Sequence, residues 1–106
     1  MLREDLIKSV KESHKKCLEI MDCKGADYAN NEDALLNYKY CELLDVSAEK
    51  YMLCRVIEKI CRVNNLFNKD HKTADESITD SLLDISNVIL FIKAHIDEKR
   101  LKSKKI

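Results

Sequence analysis

The chain has 106 residues, 36% of them charged, with 19 acidic and 19 Lys/Arg side chains that cancel to a net charge of zero. That balance removes the simplest case for a nucleic-acid or membrane surface, and the longest apolar run, Val88 to Ile92, falls far short of the roughly 20 residues a membrane helix needs. One glycine, no proline and 45% hydrophobic content speak against a turn-rich β fold and for a single all-α domain over residues 1–99, with a basic tail at 100–106.

Met1-Leu2-Arg3-Glu4-Asp5 lacks the apolar centre of a signal peptide, so a cytoplasmic location is expected. Five cysteines without a Cys-x-x-Cys pair make a poor disulfide or zinc set. Cys54 and Cys61 are expected as small buried hydrophobes in a reducing compartment. A chain this short buries a modest fraction of its surface and gains from self-association, so a homo-oligomer is expected.

The first predicted helix runs from about Leu2 to Asp22, with Leu2, Leu6, Val10, His14, Cys17 and Met21 along one seam. Gly25 is placed to end it. Lys24 to Asn31 then read as a loop whose Lys24, Asp27 and Tyr28 suit a phosphate, an ion or a base as well as plain loop chemistry. A short second helix is expected from about Asp33 to Leu44, with Leu35, Leu36, Tyr40, Leu43 and Leu44 inward and Asn37 and Tyr38 beside them.

Ser47 is a good N-cap for a third helix reaching Phe67. Its apolar face comprises Met52, Leu53, Val56, Ile57, Ile60, Val63 and Phe67, and Arg55, Lys59 and Arg62 form a basic row along the border. Thr73 followed by Glu76 is a capping-box signature, which predicts a fourth helix from Ala74 to about Lys99. Ile78, Leu82, Ile85, Ile89, Ile92 and Ile96 give its stripe. A second stripe of Asn87, Leu90, Phe91 and Ala94 suggests cover on both sides, with the last three as the candidate subunit contact. The lysines of the tail complement the dipole of a fraying helix end, and no aromatic residues interleave with them as in a nucleic-acid grip.

The sharpest chemical feature is an acidic row on the fourth helix, Glu76, Asp80 and Asp84, spaced one turn apart. Like charges at this spacing repel and call for cations. Two readings stay open. The row can pair with Arg55, Lys59 and Arg62 on the third helix. Alternatively its carboxylates hold Mg²⁺ while the basic row takes phosphate, a pattern suited to metal-assisted hydrolysis.

The same residues carry a resemblance to the bacterial and phage family called nucleotide modification associated domain, type 1, over roughly Lys24 to Lys99. The matching pieces are Lys24-x-x-Asp27-Tyr28, Asn37-Tyr38, Arg55-x-x-Glu58-Lys59-x-x-Arg62 and Glu76-Ser77-Ile78-x-Asp80-x-Leu82-Leu83-Asp84. Glu58, Ala29 and Val88 depart from the pattern, which has Asp, Gly and an aromatic there. A looser similarity links the chain to MazG-type all-α nucleotide pyrophosphohydrolases, whose Glu-x-x-Glu motif it lacks.

The resemblance implies a role around modified nucleotides in a bacterium or a phage, and the charged rows add to it the expectation of a nucleotide-binding protein with Mg²⁺-dependent phosphohydrolysis as the enzymatic form. Glu76, Asp80 and Asp84 would hold the metal, and Arg55, Lys59, Arg62 and Lys24 the phosphates. Tyr28 and Tyr38 would stack on the base, with Asn37 reading its edge. The alternative is a non-enzymatic counter-defence protein that captures a nucleotide signal or a host defence protein. A third possibility is an interaction module whose charged rows pair internally.

Overall fold

Among the described residues, four helices and one 3₁₀ turn follow each other: α1 (Arg3–Tyr28), α2 (Leu36–Lys39), the 3₁₀ turn (Tyr40–Leu44), α3 (Ala48–Phe67) and α4 (Lys72–Lys104). The computed structural model describes residues 1–28, 33–69 and 72–104, and the side chains of 1–23, 33–69 and 75–104. Among the described residues there is no strand, and no helix is long and apolar enough to cross a membrane.

The centre of the fold is the α3–α4 hairpin. Ser47 caps α3 as expected, its side chain accepting from the Lys50 backbone N–H at 3.3 Å. The helices run antiparallel, because residues rising along α3 meet residues falling along α4: Glu49 reaches His95 and Lys99, and Lys59 reaches Asp84. Ala48, Met52 and Val56 pack with Val88, and Tyr38, Ile85, Phe91 and Ile92 close around them. Met52 is fully buried, a burial that contributes about 1.5–3 kcal/mol.

α1 lies against the other flank of α4. The Asn87 side-chain amide donates to the Cys17 carbonyl at 3.1 Å, and the Cys17 thiol lies 3.7 Å from the Leu83 carbonyl. α4 is therefore contacted on two sides over its middle turns, by α3 at Ile85, Val88 and Ile92 and by α1 at Leu83 and Asn87. Leu82 and Ile89 of the first predicted stripe and Leu90 and Ala94 of the second stay exposed. Cys17 is the one buried residue of the expected α1 seam, and Leu2, Leu6, Val10, His14 and Met21 face solvent.

Several boundaries differ from the sequence reading. α1 continues through Gly25 to Tyr28, and Gly25 does not take the left-handed conformation that ends a helix. A glycine inside a helix costs about 1 kcal/mol relative to alanine, too little to stop it with no proline nearby. α2 starts at Leu36 because Asp33 holds its neighbours in a turn, its carboxylate accepting from the Leu35 N–H at 3.1 Å and gripping Lys39 at 2.8 Å. The second helical segment then tightens to 3₁₀ and stops at Asp45, in the left-handed region at φ 59°. α4 begins at Lys72, so Thr73 sits inside the first turn, not at the N-cap, and its side chain lies outside those described. At the other end the helix runs on through the basic tail to Lys104, with Lys102 paired to Glu98 at 2.7 Å.

The expected core is also only half realised. Tyr40, Leu43, Leu44, Leu53, Ile57, Ile60, Phe67, Leu82 and Ile89 are exposed, as are Cys54 and Cys61. Of the candidate subunit contact, Phe91 is half-buried against the core and Leu90 and Ala94 are exposed. The molecule is elongated, 51 Å in its longest dimension with a radius of gyration of 16.2 Å. A compact chain of this length would have a radius of about 13 Å.

Candidate functional site

One flank of the α3–α4 hairpin collects the polar chemistry. Each residue turns a helix by about 100°. Counted from the stripes with which α3 and α4 face each other, Tyr51, Arg55, Lys59 and Arg62 fall to one side of α3. Asp80, Asp84 and Phe91 fall to one side of α4, and antiparallel packing makes these the same side of the hairpin. α2 lies on this flank too: the Tyr38 ring is 6.2 Å from Tyr51 and 6.3 Å from Phe91, centre to centre and tilted in both cases. Such aromatic contacts fix a ring in place beyond the effect of its buried area.

Around Tyr38 gather four other residues named from the sequence. Asn37 is its neighbour on α2 and hydrogen-bonds its side chain, and Arg55 and Asp84 lie close enough to act on it electrostatically. Burial pushes the Tyr38 phenol above its ordinary range, with Asp84 and Tyr51 acting in the same direction and Arg55 and Asn37 against it. Lys59 points its ammonium at the Asp84 carboxylate, 3.5 Å away, with about a quarter of each side chain exposed. Arg55 is held at its edge by Glu58, at 2.9 Å. Asn37, Tyr38, Arg55, Lys59 and Asp84 thus form a half-buried cluster in which two cationic groups stand near the Tyr38 ring.

The rest of the two charged rows diverges. Arg62 is exposed and borders a shallow depression of about 530 Å³ with Glu58, Cys61 and Lys69. Glu76 and Asp80 are exposed and line another, of about 450 Å³, together with Asp75, Thr79 and Lys16 of α1. Asp84 is thus engaged by α3 while the other two acids face α1. Among the described residues no three His, Cys, Asp or Glu side chains come close enough together to hold a metal ion. Glu76 and Asp80, one turn apart, thus stay together on one depression, while Asp84 stands apart from them beside Lys59. The side chains of Lys24 and Tyr28 lie outside those described.

Two features were missed by the sequence reading. Lys16 gives no sequence signal, being one of many lysines on α1. The second is a polar cluster around buried His95 at the far end of the hairpin. Glu49, in the first turn of α3, accepts from Lys99 and lies 3.1 Å from His95 Nε2, although the imidazole nitrogens make no aligned hydrogen bond among the described residues. The Lys99 ammonium, chiefly, holds the Glu49 carboxyl down to about 2, with Ser47 and the backbone N–H assisting against burial. No family model matches the chain, and no curated protein or solved structure matches it either.

Proposed function

We propose that this chain binds a nucleotide or a nucleotide-derived phosphate compound at the polar cluster where α2, α3 and α4 meet. The observation that carries the reading is the gathering of Asn37, Tyr38, Arg55 and Lys59 on one flank of the hairpin. Arg55 and Lys59 supply the charge, Arg55 with the planar fork that suits phosphate oxygens. Tyr38 offers a held aromatic face to a base, and Asn37 a donor and an acceptor for its edge. Arg62 and Lys24 would extend the cationic path. The resemblance to the nucleotide modification associated domain, type 1, at these same positions supports the reading.

Nucleotide binding is common to two forms of this reading. In the enzymatic form, Mg²⁺-dependent phosphohydrolysis, Glu76 and Asp80, which line one depression, would hold the metal together with water and phosphate oxygens. The non-enzymatic alternative is a bacterial or phage protein that sequesters a nucleotide signal or a host defence protein. Self-association of the chain is proposed beside this reading.

The test is thermal unfolding with a panel of nucleoside mono-, di- and triphosphates, each with Mg²⁺ and with a chelator. A ligand at about 100 times its Kd stabilises by about 2.7 kcal/mol, which raises Tm by roughly 10 °C or more for a chain of this size. Arg55→Ala combined with Lys59→Ala should remove the shift. No shift with any nucleotide refutes the proposal. A shift that persists with chelator favours the non-enzymatic form, and one that requires Mg²⁺ and is accompanied by release of phosphate favours the phosphohydrolase.

A further inference from the structure

The opposite flank of the hairpin carries an apolar row over its middle turns, with exposed Lys93 and Arg100 beyond it toward the C-terminal end of α4. On α3, Leu53, Ile57 and Ile60 lie about a quarter turn from the stripe that packs on α4. On α4, Leu82 and Ile89 lie about the same angle from the stripe that packs on α3. Antiparallel helices turn in opposite senses when viewed from one end, so these residues share the side away from α1 and α2. Each is roughly half exposed, and half-buried Ile85 lies between them. In a chain that is 36% charged, the six carry no charge.

We infer that this flank is where a second copy of the chain docks, so that two hairpins complete a four-helix bundle. It deepens the self-association proposed above by naming its surface, and it does not depend on the nucleotide site.

Three observations favour a second copy. The first is area. The chain exposes 8612 Å², about 2,500 Å² more than the roughly 6,100 Å² of a compact monomer of 12.3 kDa. An obligate dimer takes about 1,000–2,500 Å² from each partner. The second is register. Leu53, Ile57, Ile60, Asn64 and Phe67, all exposed, are spaced four, three, four and three residues apart, the spacing with which helices interdigitate in a bundle. The third is charge. A net charge of zero leaves no long-range repulsion between copies, and an uncharged patch can meet itself across a two-fold axis.

Sedimentation of the purified full chain across a range of concentrations tests this. The wild type is expected at twice the 12.3 kDa monomer mass. Ile60→Asp should sediment as a helical monomer, and Leu90→Asp, on the other flank of α4, should remain a dimer. A second variant keeps the test open if Ile60→Asp does not fold. In Ile57→Cys, maleimide labelling of the new thiol should be slow in concentrated protein and approach the rate of exposed Cys23 on dilution. A wild type that is monomeric at all concentrations overturns the inference. So does a dimer in which the thiol at position 57 labels as fast as Cys23, or which Leu90→Asp breaks and Ile60→Asp does not. Failure of nucleotides to shift Tm leaves these masses unchanged, so the two proposals can fail separately.

Discussion

Replacing Glu49 by Gln removes the charge that clasps the two ends of the hairpin, while keeping the size of the side chain. In the folded chain the Glu49 carboxyl lies at about 2, against an ordinary 4.5, chiefly because it accepts from the Lys99 ammonium. Taken whole, that difference corresponds to about 3.4 kcal/mol. Glu49 is 22% exposed but Lys99 is 57% exposed, and solvent screening at the open partner reduces the figure to roughly 1.5–2 kcal/mol. For a domain of this length the loss lowers Tm by about 6–16 °C at neutral pH.

The sign with pH follows from the direction of the shift. A carboxyl with a depressed folded pKa contributes its full stability above the unfolded value and loses it as pH falls through the folded one. The Glu49 contribution should therefore be intact above about pH 5.5 and disappear between about 4.5 and 2. Urea unfolding followed by circular dichroism, at several pH values and one protein concentration, measures both effects. Glu49→Gln should be less stable than wild type at pH 7, and the two should converge toward pH 2–3. Asp33, Asp97 and Glu98, also held below their ordinary range by lysines, keep their contribution in both proteins and cancel in the difference. A loss below about 0.5 kcal/mol at pH 7, or a gap that stays constant down to pH 3, would falsify the clasp.

Two further changes probe the core and the polar cluster around Tyr38. Met52→Ala empties the fully buried centre of the α3–α4 packing and should cost about 2–5 kcal/mol in denaturant unfolding; a loss under 1 kcal/mol would mean that the helices close up around the gap. A double-mutant cycle with Lys59→Met and Asp84→Asn should give a coupling of only about 0.5–1 kcal/mol in ligand-free protein, because the pair is partly solvated and 3.5 Å apart. A coupling of several kcal/mol would identify the pair as a structural lock, with Lys59 unavailable to an incoming phosphate.

Helix type and number were legible in the residues, because apolar spacing and the near absence of glycine and proline speak about local backbone geometry. The Ser47 cap and the extent of α3 followed from the same local chemistry. Gly25 and Thr73 misled for a related reason: each is a terminator or starter only when its neighbours lack a better alternative. Asn37, Tyr38 and the α3 cations were identifiable as residue types suited to phosphate and base. Their meeting depends on how α2 folds back over the hairpin, which no local pattern encodes. Likewise Leu53, Ile57, Ile60, Leu82 and Ile89 look like core residues by spacing, and so they would be if every apolar stripe were covered within one chain. Apolar periodicity states that a face must leave water, whereas only the packing of helices decides whether that cover comes from the chain itself or remains to be supplied from outside.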